Sequence, residues 1–338
     1  MSLPRPIITL DNPDKPFYPC DEVTGTIQLN LLEPLEARSI FISSRGKTVV
    51  HSISPFEKPH VTCYFSKTQL VWVPKEGKTT IPADCHQFKF TILLPYDCLP
   101  TFRGPMGKTN YKIKISIDRP RKLNINAEGE FIVSKRLDIP RRLSPSLPAN
   151  WFFNVNLPTG VIFSDGPVTL MVTTPSLVMS PGATLPLQFE VTNSSRTVVT
   201  HIYAKLFQRT HYHARPQKHV CEEFNNNCPL SCFMQQNTKE KIGCTEKHEV
   251  NLAPFTKGAY PVPFQVPEDL RVPSFNSGLI SHGYFMEFGF RAKGAIDRAM
   301  ICSFYLGEME DYGGEESEEL GGEVEEDAPP TYAEVVQN

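Results

Sequence analysis

The sequence predicts an all-β protein of two tandem β-sandwich domains followed by a disordered acidic tail, and three observations carry that prediction. Apolar residues alternate with polar ones at period two through most of the chain up to residue 306, which sets every second side chain on one face of a sheet. Two halves of the chain repeat the same order of turns and strands. The last 32 residues, from Gly307 to Asn338, are dominated by glycine and glutamate and lack the apolar content needed to offset the entropy of ordering. In addition, 31 prolines in 338 residues, nearly twice the usual share of about 5%, disfavour long helices.

The alternation is cleanest at Phe88, Phe90, Ile92 and Leu94, and at Tyr111, Ile113, Ile115 and Ile117. It recurs at Leu185, Leu187, Phe189 and Val191, and at Tyr284, Met286, Phe288 and Phe290. Turn clusters such as Asn12-Pro13-Asp14, Pro74-Lys75-Glu76-Gly77 and Ser180-Pro181-Gly182 punctuate the strands at sandwich spacing rather than βαβ spacing.

The repeat is a domain duplication. Phe17-Tyr18-Pro19 leads into "VTGTIQLNL", as Met179-Ser180-Pro181-Gly182 leads into "LPLQFEV". "FTILLPYDCLPTF" precedes "YKIKISI", as "PFQVPEDLRVPSF" precedes "YFMEFGF", and Phe102 to Tyr111 and Phe275 to Tyr284 are both nine residues. The expected division is a first domain over residues 1–140, a proline-stiffened linker over 141–154, a second domain over 155–306 and the tail over 307–338.

The length suits two such domains, each able to bury a core without disulfides. The N-terminus has no apolar h-region and no run of 18 apolar residues occurs, so an intracellular protein is expected. Nine irregularly spaced cysteines then fit reduced thiols, and the sequon Asn193-Ser194-Ser195 reads as a turn. From Glu308 onward there are twelve acidic residues and no Lys or Arg, which leaves +9 on the preceding body out of a net charge of -3. A basic body points to anionic partners or to its own tail.

These residues resemble the α-arrestins, the arrestin domain-containing proteins. The resemblance rests on "FYPCDEVTG", on Cys85-His86-Gln87-Phe88 running into "FTILLP", on "LPTFRG" and on "YKIKISIDRPRK" in the first half. In the second half it rests on "GPVTL", "SPG" and "FEVTNSSR", and a C-terminal Pro-Pro-x-Tyr completes it. The chain departs from the family pattern in carrying Arg103-Gly104 where a glutamate-glycine pair is usual, and one Pro-Pro-x-Tyr where many members have several. The resemblance implies two immunoglobulin-like sandwiches side by side. It also implies a cytoplasmic adaptor, recruited to plasma membrane and endosomes, that links receptors or transporters to a Nedd4-type ubiquitin ligase for endocytosis and sorting. The expected partners are WW-domain proteins including such ligases, cytosolic segments of membrane cargo and an anionic membrane surface, with no nucleic acid. Two alternatives are an arrestin-fold scaffold that works without its tail and a metal- or redox-responsive regulator built on the Cys/His-rich segment.

The motif Pro329, Pro330 and Tyr332 has a physical mechanism. Two prolines hold the backbone near polyproline II before a partner arrives, so little entropy is lost when they dock on the aromatic groove of a WW domain and the tyrosine fills a neighbouring pocket. Arg119, Arg121, Lys122, Arg141 and Arg142 gather at the end of the first domain and in the linker. They are candidates for binding phosphate or another anion, against the plainer reading of a solvated turn. His211, His213, His219, Cys221, Cys228, Cys232 and Cys244 cluster within 34 residues, but only Cys228 and Cys232 approach the paired spacing of a zinc site, so no metal is expected. Phosphate loops, nucleophile elbows and His-Glu-x-x-His segments are missing from the sequence; the chain reads as non-enzymatic and without a cofactor.

Overall fold

The structure is a computed structural model that describes residues 5–52, 56, 58–75, 79–137, 148–159, 163–213 and 235–308. Strand alternation decides its architecture. In β9 (Gly107–Asp118) every odd-numbered residue is buried, so that face must be covered by a second layer. One sheet of the first domain has the order β10 (Ile125–Phe131), β9, β4 (Ser39–Val50), β5 (His60–Trp72), with the short β8 (Phe102–Arg103) also on β9. A sheet of β1 (Ile7–Leu10), β2 (Glu22–Asn30) and β7 (Cys85–Leu93) packs over it, and β3 (Leu35–Glu36) pairs with β6 (Thr80–Ile81). In the second domain β11 (Ala149–Thr159), β12 (Phe163–Thr174), β14 (Thr184–Asn193) and β17 (Thr256–Gln265) form one sheet. The other has the order β13 (Val178–Met179), β19 (Arg298–Leu306), β18 (Ile280–Ala292), β15 (Val199–His213), β16 (Gln235–Leu252). Among the described residues there is no helix, hence none long and apolar enough to cross a membrane. The second domain's first strand starts at Ala149, ahead of residue 155.

All four alternating runs read from the sequence point into a core. Cys98 and Cys302 are buried free thiols and Cys20, Cys63 and Cys85 exposed ones. Burial pushes Cys98 up to about 11 and Cys302 up to about 12, which keeps both protonated and unreactive. Asn193, the last residue of β14, is buried and braces the turn that follows, its Nδ2 donating to the carbonyls of Thr197 and Ala253 at 2.9 and 3.0 Å and its Oδ1 accepting from Ser195 Oγ at 2.6 Å.

The duplication holds residue by residue. Phe17 bridges in parallel to Val133 as Met179 does to Leu306. Thr101 N donates to Val133 O at 2.7 Å as Ser274 N does to Leu306 O at 2.8 Å, and their hydroxyls accept from Val133 N and Leu306 N at 2.9 and 3.0 Å. Tyr111 and Tyr284 each donate the hydroxyl to a carbonyl twelve residues upstream, Leu99 at 2.5 Å and Val272 at 2.8 Å. Equivalent residues stand 162 positions apart at Phe17 and Met179 but 173 apart at Tyr111 and Tyr284. The largest difference is in the connection that holds the Cys/His-rich segment: Tyr212 and its partner Gln236 are 24 positions apart where Val50 and its partner His60 are 10.

The two copies meet through the same surface. Val50, Leu99 and Phe102 of the first domain pack with Tyr212, Phe275, Leu279 and Ile280 of the second, with Met106 and Val272 at the margin. In the duplicated numbering Val50 corresponds to Tyr212, Leu99 to Val272, Phe102 to Phe275 and Met106 to Leu279, so the seam is self-complementary in the manner of a two-fold dimer interface. Phe102 and Phe275 meet each other edge to face at 5.8 Å, a favourable aromatic geometry. The close approach needs a glycine beside it: a Cβ at Gly104 would lie 1.9 Å from the Tyr212 hydroxyl.

Replacing Tyr111 or Tyr284 by Phe leaves a buried or part-buried carbonyl without its donor, so each change is expected to lower stability by about 1–3 kcal/mol in urea unfolding, more at Tyr111. The two losses should add, because the tyrosines sit in separate cores. A Gly104→Ala change should loosen the seam and leave both cores packed, read as a lower unfolding midpoint for docking alone.

Candidate functional site

Alternation that buries one face of β4 and β9 exposes the other, and on that outer face the polar residues are cations. Lys108, Lys112 and Lys114 follow on β9, while Arg45 and Lys47 follow on β4. The antiparallel register sets Arg45 directly opposite Lys112, Lys47 opposite Asn110 and Ser43 opposite Lys114. Together with Ser44, Ser66 and Glu128 these residues line a cleft of about 480 Å³.

Like charges placed directly across a sheet repel and cost stability, and the local acids relieve only one of them. Lys112 Nζ lies 3.1 Å from Glu130 Oε1 and 3.3 Å from Glu128 Oε2, and its hydrogen bonds to Glu130 and then Glu128 raise its pKa. Arg45, Lys47, Lys108 and Lys114 have no carboxylate partner among the described residues. Hydroxyls, an amide and four cations without a carboxylate partner among the described residues give this concavity the donors an anion takes: ammonium and guanidinium groups bind phosphate or carboxylate by charge-assisted hydrogen bonds.

The duplicated face of the second domain has diverged. Phe207 and Phe285 stack at 5.3 Å where the first domain has Arg45 and Lys112, and Arg209 caps Phe285 at 5.3 Å. Lys205 lies over the Tyr203 ring at 4.2 Å and reaches Glu287 Oε1 at 2.9 Å. The basic cleft therefore belongs to one copy of the fold.

The basic residues singled out from the sequence lie elsewhere. Arg119 turns inward, its Nε donating to Leu123 O at 2.8 Å and its Nη2 to the same carbonyl, so it closes its own hairpin. Asp118 accepts from Arg38 Nη2 at 2.7 Å. Arg121, in the left-handed region at φ 54, and Lys122 are exposed at the hairpin tip. Arg141 and Arg142 lie outside the described residues, as do Pro329, Pro330, Tyr332, Cys221, Cys228 and Cys232; the Cys244 side chain is likewise outside them. Among the described residues no group of three His, Cys, Asp or Glu is placed to hold a metal ion. Period two in "GKTNYKIKI" was the available signal for the lysines, but the register that brings Arg45 to Lys112 is not written in either strand.

The root of the tail is anchored beside the linker. Tyr18 Oη donates to Glu308 Oε2 at 2.7 Å, Leu137 N donates to Glu308 O at 2.8 Å, and Arg136 covers the Tyr18 ring at 4.6 Å. Burial, and then the bond to Glu308, push the Tyr18 hydroxyl up to about 12, so it stays a donor.

Relief of repulsion gives a direct check on the cleft. Arg45→Gln is expected to leave thermal stability unchanged or raise it by about 0.2–1 kcal/mol, while weakening retention of the protein on a phosphate-bearing matrix.

Comparison with known proteins places the chain. Residues 7–140 match the family model described as "Arrestin (or S-antigen), N-terminal domain", and residues 164–309 match "Arrestin (or S-antigen), C-terminal domain". Arrestin domain-containing protein 17 of Caenorhabditis elegans is 25% identical over 230 residues, covering 64% of this chain and 54% of that protein. Arrestin domain-containing protein 1 of Mus musculus is 27% identical over 206 residues, covering 59% and 45%. Arrestin domain-containing protein 4 of Mus musculus is 26% identical over 223 residues, covering 61% and 52%. The matched segments span about half the length of these relatives. With both arrestin domains matched in order over two duplicated sandwiches, the chain belongs to the arrestin-domain family.

Proposed function

We propose that the protein is a non-catalytic adaptor. Its first domain holds an anionic, phosphorylated cytosolic segment of a membrane receptor or transporter in the basic cleft. Its tail motif, Pro329, Pro330 and Tyr332, docks a WW domain of a Nedd4-type ubiquitin ligase. The observation that carries this reading is the set of four cations in one cleft that have no carboxylate partner among the described residues. Family membership supports a scaffold or adaptor role. The motif supports the ligase half, because a preformed polyproline segment binds with little ordering entropy.

A second reading has the folded body act as a scaffold without the tail, and one observation favours it. The cleft and both family matches lie in the body, no further along than residue 309. Removing residues 310–338 separates the two. An adaptor loses ubiquitination of its cargo while still binding it, whereas a tail-independent scaffold keeps both cargo binding and cargo trafficking.

Two substitution sets test the halves independently. Lys108→Glu with Lys114→Glu is expected to reduce capture of a phosphorylated peptide at least tenfold and to spare WW-domain capture. Pro330→Ala with Tyr332→Ala should do the reverse, with no change in the unfolding of the body. Undiminished peptide capture by the lysine variant would remove the cleft from the mechanism.

A further inference from the structure

One of the positions at which the duplicated seam differs between its two copies is both buried and polar. In the first domain Thr109 shares a hydrogen bond with Thr48 at 2.6 Å. In the second, the equivalent residue is His282, whose Nδ1 lies 2.8 Å from Thr210 Oγ1. The histidine is bridged to Phe275 through both backbone groups, at 2.8 and 2.9 Å. Its ring lies 5.5 Å from Phe102 of the other domain, 6.0 Å from Phe275 and 5.2 Å from Tyr284. Its Nε2 is buried and has no hydrogen-bond partner among the described residues.

We propose that His282 makes the domain seam an acid-sensitive joint: a proton on its ring opens the contact between the two domains. A neutral imidazole satisfies Thr210 with Nδ1 and leaves Nε2 as a bare acceptor, which the aromatic walls tolerate. Protonation would place a donor and a unit charge on Nε2 with no acceptor in reach, and an uncompensated buried charge is relieved by admitting water. Water reaches the ring when Phe102 withdraws, and Phe102 belongs to the opposite domain.

Among the described residues, the groups around the ring offer no counter-charge. Tyr284 on its own strand, Thr210 and Tyr212 with His211 and His213 on β15, and Phe275 on the preceding loop carry no carboxylate. From the first domain come Phe102 and, next to it, the exposed Arg103, a cation. Asp269 acts on the Tyr284 hydroxyl. Burial alone holds His282 down at about 4, against 6.5 for a free side chain. The open form therefore binds the proton more tightly than the closed form. Closure is at full strength above about pH 6.5 and weakens about tenfold per pH unit down to about 4. The tail root is within reach of this joint, since Ser274, next to Phe275, holds Leu306 by two hydrogen bonds. The inference stands independently of the adaptor reading.

Hydrogen exchange on the full chain between pH 7.5 and 4.5, corrected for intrinsic exchange rates, tests it. Amides of the seam, Phe275 and His282 among them, are expected to lose protection about tenfold per unit below pH 6.5 while those of Ile113 and Ile115 keep theirs. His282→Thr, which restores the first domain's residue, should remove one proton's worth of that slope, and His282→Gln should do the same should the threonine variant pack poorly. In the native chain the imidazole should titrate near 4 by nuclear magnetic resonance. Seam protection independent of pH, an equal loss in the core strands, or an unchanged slope in a folded His282 variant would each overturn the proposal.

Discussion

The contact of Phe102 with Phe275 is the constraint on which the rest of this molecule depends. Each sandwich closes its own core, so neither needs the other to bury its inward faces. What the second domain adds to the first is position. That position is set where one aromatic from each copy meets its counterpart, inside a rim of Tyr212, Leu279, Ile280, Val50 and Leu99. A buried phenylalanine contributes about 1.5–3 kcal/mol and an aromatic pair about 0.5–1.5 kcal/mol beyond that. A handful of side chains is therefore enough to hold two domains in one arrangement, though with far less than either core supplies.

Duplication explains why that contact is self-complementary, and divergence explains what the molecule can do with it. The same strand pair carries a bare cationic face in one copy and stacked phenylalanines with paired cations in the other. The same buried polar position carries Thr109 in one copy and His282 in the other. The same strand connection, Val50 to His60 in one copy and Tyr212 to Gln236 in the other, is fourteen residues longer in the second copy. Function in a duplicated fold is found where the copies differ, because the positions they share are occupied by packing.

The linker and the tail leave the folded body close together. Val133, two residues past β10, and Leu306, the last residue of β19, are equivalent positions, and the segments that follow them are joined by Leu137 N to Glu308 O. Tyr18 and Arg136 complete that clamp from the first domain. A chain that runs on from Glu308 thus starts at the first domain, although the strand before it belongs to the second. The acidic tail begins on the domain that carries the basic cleft.

Local pattern in the sequence determined the strands, the two sandwiches and the turn after Asn193, because each follows from period two or turn chemistry within a short window. Resemblance carried the family. The tertiary structure alone decided the cleft, the seam and the fate of Arg119. Arg45 and Lys112 lie 67 positions apart in the chain and become neighbours only through the register of β4 on β9. Phe102 and Phe275 looked like matching positions in a repeat, and nothing in either segment said that they would touch. Arg119 reads as a free cation beside other cations until its hairpin folds it onto the Leu123 carbonyl. Periodicity reports which face a side chain takes, whereas charge and aromatic contacts depend on which faces meet, and that is settled by pairing across long stretches of chain.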